Sequence, residues 1–121
     1  MNYPEQLSQI GLIPVVVLNN ADQAVFLAKA LLEGGIPTAE ITFRTNAAAE
    51  SIRRISEQVP ELLVGAGTIT SVQMAEQAVT AGARYIVCPA LNTDVIRWCL
   101  EQDIPVFPGV ATPTEIERAM G

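Results

Sequence analysis

Thr38-Ala39-Glu40-Ile41-Thr42-Phe43-Arg44-Thr45 is the stretch of this chain that decides its fold. Ile41, Thr42 and Phe43 favour an extended backbone, and side chains alternate across a strand. Glu40, Thr42 and Arg44 therefore share one face, and Ala39, Ile41 and Phe43 the other. A carboxylate, a hydroxyl and a guanidinium would be costly in a sealed core, because isolated charges resist leaving water. They belong at the mouth of a polar pocket. Glu40 points inward among apolar strands, where desolvation raises a carboxyl's pKa toward the range of a general base. Arg44 lies about 13 Å further along an extended strand, too far for an easy bridge to Glu40. Its fork is thus left to hold an anion, a carboxylate above all.

The same strand-then-helix pattern repeats on both sides of this stretch. Upstream, after a short helical segment at Pro4 to Ile10, the continuous apolar run Leu12 to Leu18 predicts a strand covered on both faces. Asn20 then caps a helix that Gly34-Gly35 closes. Downstream, a helix from about Asn46 to Gln58 leads to a strand over Leu62 to Ile69. A helix behind Thr70 or Ser71 stops near Gly82, a strand covers Arg84 to Pro89, and a helix runs from Asn92 to about Gln102. Ile104 to Val110 is a fifth strand, and Thr112-Pro113-Thr114-Glu115 is a capping box with proline at the first helical position.

Strands alternating with helices at a period of roughly twenty residues make βα units with parallel strands and right-handed crossovers. Polar and glycine-rich C-terminal strand ends favour a (β/α) barrel over a doubly wound sheet, since barrel chemistry sits on the loops after the strands. Gly65-Ala66-Gly67-Thr68-Ile69 is not a full dinucleotide fingerprint. A (β/α)8 TIM barrel takes about 250 residues, whereas these 121 hold about five βα units. Residues 1–121 are therefore expected to be the N-terminal portion of a single barrel domain, with an unpaired edge after the last strand.

Half the residues are hydrophobic and 17% charged, a composition for a compact fold. The net charge of -6 and the lack of any basic cluster beyond Arg53-Arg54 argue against a nucleic-acid partner. No signal-like start and no apolar segment near membrane-spanning length occur, so a soluble, cytoplasmic protein is expected. The chain contains no histidine, and Cys88 and Cys99 lack metal-ligand spacing. Both are read as reduced, half-buried thiols, with no metal and no cofactor. Without histidine, acid–base work falls to a carboxylate, a lysine or a tyrosine.

Two further residues bear on chemistry. Thr68 follows two glycines that would let a ligand approach the backbone, and its hydroxyl could complete an anion site or simply start the next helix. Lys29 is the chain's only lysine. It shares a polar helix stripe with Asp22 and Glu33, which places it on the outer, solvated side as an i, i+4 partner of Glu33. Trp98, Tyr85 and the methionines are read as packing.

Ile13-Pro14-Val15-Val16-Val17, Ala39 to Thr45, Val64-Gly65-Ala66-Gly67-Thr68-Ile69, Cys88-Pro89-Ala90 and Pro105 to Glu115 together resemble the 2-keto-3-deoxy-6-phosphogluconate and 4-hydroxy-2-oxoglutarate aldolases, in order and over nearly the whole chain. The resemblance implies a class I lyase on a (β/α)8 barrel, usually a homotrimer. Such an enzyme cleaves a 2-keto-4-hydroxy acid to pyruvate and an aldehyde without metal. It further implies that Glu40 shuttles protons, partly through water, and that Arg44 and Thr68 bind the pyruvate carboxylate. The family's Schiff-base lysine stands on a sixth strand, in a Lys-Phe-Phe-Pro-type motif, and its phosphate-binding glycine loops lie on the seventh and eighth. None of these segments is among the 121 residues, so this chain alone is expected to lack turnover. The alternatives are a non-catalytic partial barrel that self-associates through its open edge, and a different anion-binding barrel.

Overall fold

The computed structural model describes residues 13–108. Within them the order is β1 (Val15–Val16), a 3-10 turn (Ala21–Gln23), α1 (Ala24–Glu33), β2 (Thr38–Thr42), α2 (Ala48–Gln58), β3 (Leu63–Gly67), α3 (Val72–Ala81), β4 (Ile86–Cys88), α4 (Thr93–Glu101) and β5 (Val106–Pro108). All four strand pairs are parallel, and the sheet runs β1-β2-β3-β4-β5. A doubly wound sheet reverses direction at a switch point, whereas crossovers of one hand that always step to the next neighbour coil the sheet toward a barrel. The described residues form a partial barrel of this kind.

Local chemistry sets the element ends. The Asn20 side chain accepts from the Asp22 N–H, Ser71 from Met74 and Asn92 from Val95, each taking up a donor that the first helical turn leaves without a partner. After α1 the chain turns through Gly35 at φ 82°, a left-handed conformation open to glycine, and Ile36 N–H returns to the Leu31 carbonyl at 2.8 Å.

The strands are shorter than their apolar runs. β2 ends at Thr42, and Phe43 to Ala47 form turns, so Arg44 is carried by a loop and not by the strand's alternation. β1 corrects the expectation of a strand covered twice: Val15 is 59% exposed and Val17 46% exposed. It is an edge strand, and helices cover one side only. Cys88 and Cys99 are fully buried free thiols, deeper than expected, and burial pushes the Cys99 thiol up to about 11. The segment at Pro4 to Ile10, Leu12, Gly109-Val110 and the Thr112 capping box lie outside the described residues.

Two layers follow from the alternation. Ala39, Ile41, Val64, Ala66, Ile86 and Cys88 face the helices and join Ala28, Ile52, Ile55, Ala75, Ala78, Val95 and Cys99 in one apolar core. The opposite face, the inside of the incipient barrel, carries Thr38, Glu40 and Thr42 opposite Leu63, Gly65 and Gly67 by register.

Candidate active site

Register places the site. Glu40 pairs with Gly65, and Thr42 with Gly67, so both glycines look toward the interior from the strand beside Glu40. A Cβ on Gly67 would lie 1.8 Å from Glu40 Oε2, and a Cβ on Gly65 would lie 2.2 Å from the Tyr85 ring. The carboxylate thus leans toward the C-terminal end of β3 and rests over Gly67, and the tyrosine ring rests over Gly65. From the sequence, these glycines are expected to open the backbone to a ligand. Instead they hold two side chains of the protein itself.

Tyr85 and Thr38 form the floor. Thr38 Oγ1 donates to the Leu63 carbonyl at 2.7 Å and lies 3.1 Å from the Tyr85 hydroxyl, which makes Tyr85 the donor between them. Both residues are fully buried. Burial pushes the Tyr85 phenol up to about 12, the Thr38 contact pulls it partly back, and the Glu40 charge adds to the rise. Tyr85 was read from sequence as packing, and it packs on the face that carries Glu40. The signal that could have found it is a glycine at an interior strand position, which implies a bulky neighbour.

Glu40 is 8% exposed. Desolvation raises its pKa, and the positive charge of Arg44 opposes the rise. Arg44 itself is exposed. Its turn is pinned on both sides: Phe43 N–H donates to the Gly67 carbonyl at 2.8 Å, and the Thr45 hydroxyl donates to the Leu18 carbonyl beyond β1. The turn that carries Arg44 is therefore held at the C-terminal rim of the sheet. The Arg44 charge reaches Glu40, and no ion pair joins the two among the described residues.

Thr68 occupies a bulge. Ala66 N–H bonds the Tyr85 carbonyl at 3.0 Å, and the next bond across to β4 runs from Ile69 to the Val87 carbonyl at 3.2 Å. A regular parallel ladder advances two residues on each strand; here β3 advances three. Thr68 is the extra residue, with φ 57°, a left-handed backbone uncommon for a β-branched side chain. It directly follows Gly67, over which the Glu40 carboxylate lies. Arg44 and Thr68 thus follow the C-terminal ends of the neighbouring strands β2 and β3, the end toward which Glu40 leans.

Lys29 does not join them. It is exposed on α1, and among the described residues no ion pair links it to Glu33. Arg53 and Arg54 are taken up on the outer layer, Arg54 bridging Asp22 at 2.6 Å and Glu50 at 2.9 Å. No helix among the described residues is long and apolar enough to cross a membrane.

A parallel, sequentially ordered partial barrel with a buried carboxyl and a rim cation at its C-terminal strand ends is the class that fold and site define. Within that class the chain belongs to the KDPG and KHG aldolase family, whose model matches residues 4–121. It is 47% identical to the 2-dehydro-3-deoxy-phosphogluconate aldolase of Treponema pallidum over 96% of this chain and 55% of that protein. Among solved structures, it resembles the KDPG aldolase of Legionella pneumophila, captured with pyruvate as a covalent carbinolamine intermediate, with TM-score 0.86 and 34% identity over 90% of this chain and 53% of that one. The 2-keto-3-deoxy-6-phosphogluconate aldolase of Zymomonas mobilis with 3-phosphoglycerate gives TM-score 0.83 and 35% identity, covering 89% and 51%. The chain spans about half the length of the relatives it matches.

Proposed function

We propose that these residues form the pyruvate-recognising, proton-transferring part of a class I aldolase site. That site cleaves a 2-keto-4-hydroxy acid to pyruvate and an aldehyde, either glyceraldehyde 3-phosphate or glyoxylate. The observation that carries the proposal is the Glu40 carboxyl, buried on the interior face with its proton affinity raised and leaning to the strand ends where barrel chemistry takes place. Arg44 and the Thr68 hydroxyl grip the substrate carboxylate at the rim, an anion suited to a planar guanidinium fork. Glu40 then moves the proton between the hydroxyl or carbanion centre and solvent. A lysine amine, which makes the ketone an electron sink as a Schiff base, must come from polypeptide other than these 121 residues, because Lys29 lies on the outer helix layer. The same proposal carries a metal-free, cytoplasmic homotrimer of carbohydrate metabolism.

Borohydride trapping with labelled pyruvate tests it. The chain alone should gain no mass. Mixed with the C-terminal half of a family relative that bears the lysine, it should restore cleavage and lose it in Glu40→Gln. Mass on the isolated chain, or full activity of Glu40→Gln, would contradict the proposal. The exposure of Val15, Val17 and Phe107 on the interior side favours a second reading, self-association of the open sheet. Native mass measurement distinguishes a monomer from such an assembly.

A further inference from the structure

Thr42 shares the interior face with Glu40, and the function proposed above gives it no role. It is completely buried, and its Oγ1 is the buried side-chain oxygen that has no hydrogen-bond partner among the described residues. Valine has the same shape and suits a strand equally well, without the desolvation that an unpartnered hydroxyl suffers. The position of this hydroxyl relative to Glu40 is defined by the ladder. Thr42 pairs across it with Gly67, and Gly67 is the residue whose missing Cβ makes room for Glu40 Oε2. A donor without an acceptor and a carboxylate for which no described residue donates therefore flank the same glycine, about one strand spacing apart.

We propose that Thr42 is a positioning residue whose hydroxyl donates to the ionised Glu40 carboxylate, directly or through one water, holding it over Gly67 in its proton-accepting form. The inference rests on the acid–base role given to Glu40. The other charged group that acts on this carboxyl is Arg44 from the rim turn, and the carboxyl in turn raises the Tyr85 phenol on the floor. Tyr85 is committed to Thr38. On the side of β1, Val15 pairs with Glu40 and brings no charge. Among the described residues, Thr42 is thus the buried hydroxyl on this face that no other group occupies. A hydrogen bond to the charged form lowers a carboxyl's pKa, so removing this one should raise the Glu40 pKa beyond its already elevated value.

The test is side-chain carboxyl NMR titration of Glu40 in the full chain, for the wild type, Thr42→Ser and Thr42→Val. The midpoint should rise by about one unit in Thr42→Val and stay within a few tenths in Thr42→Ser, as expected for loss of a charge-assisted hydrogen bond. Relative to the wild type, Thr42→Val should melt lower above the Glu40 midpoint than below it, because the charge-assisted bond exists only with the ionised carboxylate. A valine variant that melts lower with an unmoved Glu40 midpoint would show a purely structural hydroxyl and overturn the inference. If the valine variant does not fold, the wild type still decides: the Thr42 methyl resonance must titrate with the Glu40 midpoint, and a methyl that ignores it refutes the proposal. The readout needs neither pyruvate nor turnover, so it is separable from the complementation experiment. Loss of lyase recovery with an intact Thr42 effect would condemn only the assigned reaction.

Discussion

The two faces of β2 are equally hidden and chemically opposite. Ala39 and Ile41 are 1% and 0% exposed against helices, and apolar contact is all they require. Thr38, Glu40 and Thr42 are 0%, 8% and 0% exposed on the other side, and only Thr38 has its polar atom matched by hydrogen bonds. One face stabilises the fold; the other holds polar groups at a net cost, as the proposed ligand-binding role requires. The carboxylates of the two layers show the same division. Burial raises Glu40, whereas hydrogen bonds from Arg53 and Arg54 hold the exposed Glu50 down at about 2.

The largest effect should come from the helix face. Ile41→Ala is expected to lose about 2–5 kcal/mol in urea unfolding, the range for emptying a core site. A loss no larger than that of a surface substitution would erase the distinction between the layers. Next are the glycines. Gly65→Ala drives a Cβ into the rigid Tyr85 ring and should lose about 1–3 kcal/mol by overpacking. Gly67→Ala meets only the flexible end of Glu40, so its stability loss should be smaller. It should nevertheless expel the carboxylate and return its titration toward 4.5. Equal stability losses for the two variants would contradict the placement of ring and carboxylate.

The smallest effect is a pH dependence with opposite signs on the two layers. Glu40 binds its proton more tightly folded than unfolded, so its contribution is full below about 4.5 and declines as pH rises through the elevated folded value. Glu50 does the reverse: its contribution is present above 4.5 and is lost as pH falls toward about 2. Denaturant titrations of Glu40→Gln and Glu50→Gln across pH should each flatten one limb. A Glu40→Gln protein whose stability still falls on the alkaline side as in wild type would mean that the buried carboxyl is not its source.

Much of this was legible beforehand. Period-two alternation put Glu40 and Thr42 inside and Ile41 outside, and the Asn20, Ser71, Asn92 and Gly34-Gly35 signals located helix ends to within a few residues, because both depend on local geometry. Features that depend on register were not legible. Arg44 was counted on a strand that stops at Thr42, the Thr68 bulge appears only once β3 is laid against β4, and Gly65 reveals nothing until Tyr85 lies across it. The apolar run at Val15 to Val17 resembles a doubly covered strand because it is apolar on both sides, whereas among the described residues Val15 and Val17 are exposed.

In the proposed function, one rim on the interior face, made by Glu40, Arg44 and Thr68, receives the carboxylate of a 2-keto acid. Pyruvate titration followed by backbone and side-chain NMR shifts tests it most directly. Changes should concentrate at Arg44, Thr68 and the Glu40 carboxyl and vanish in Arg44→Met. Shifts confined to the outer helices, or a response that survives loss of Arg44, would contradict the account.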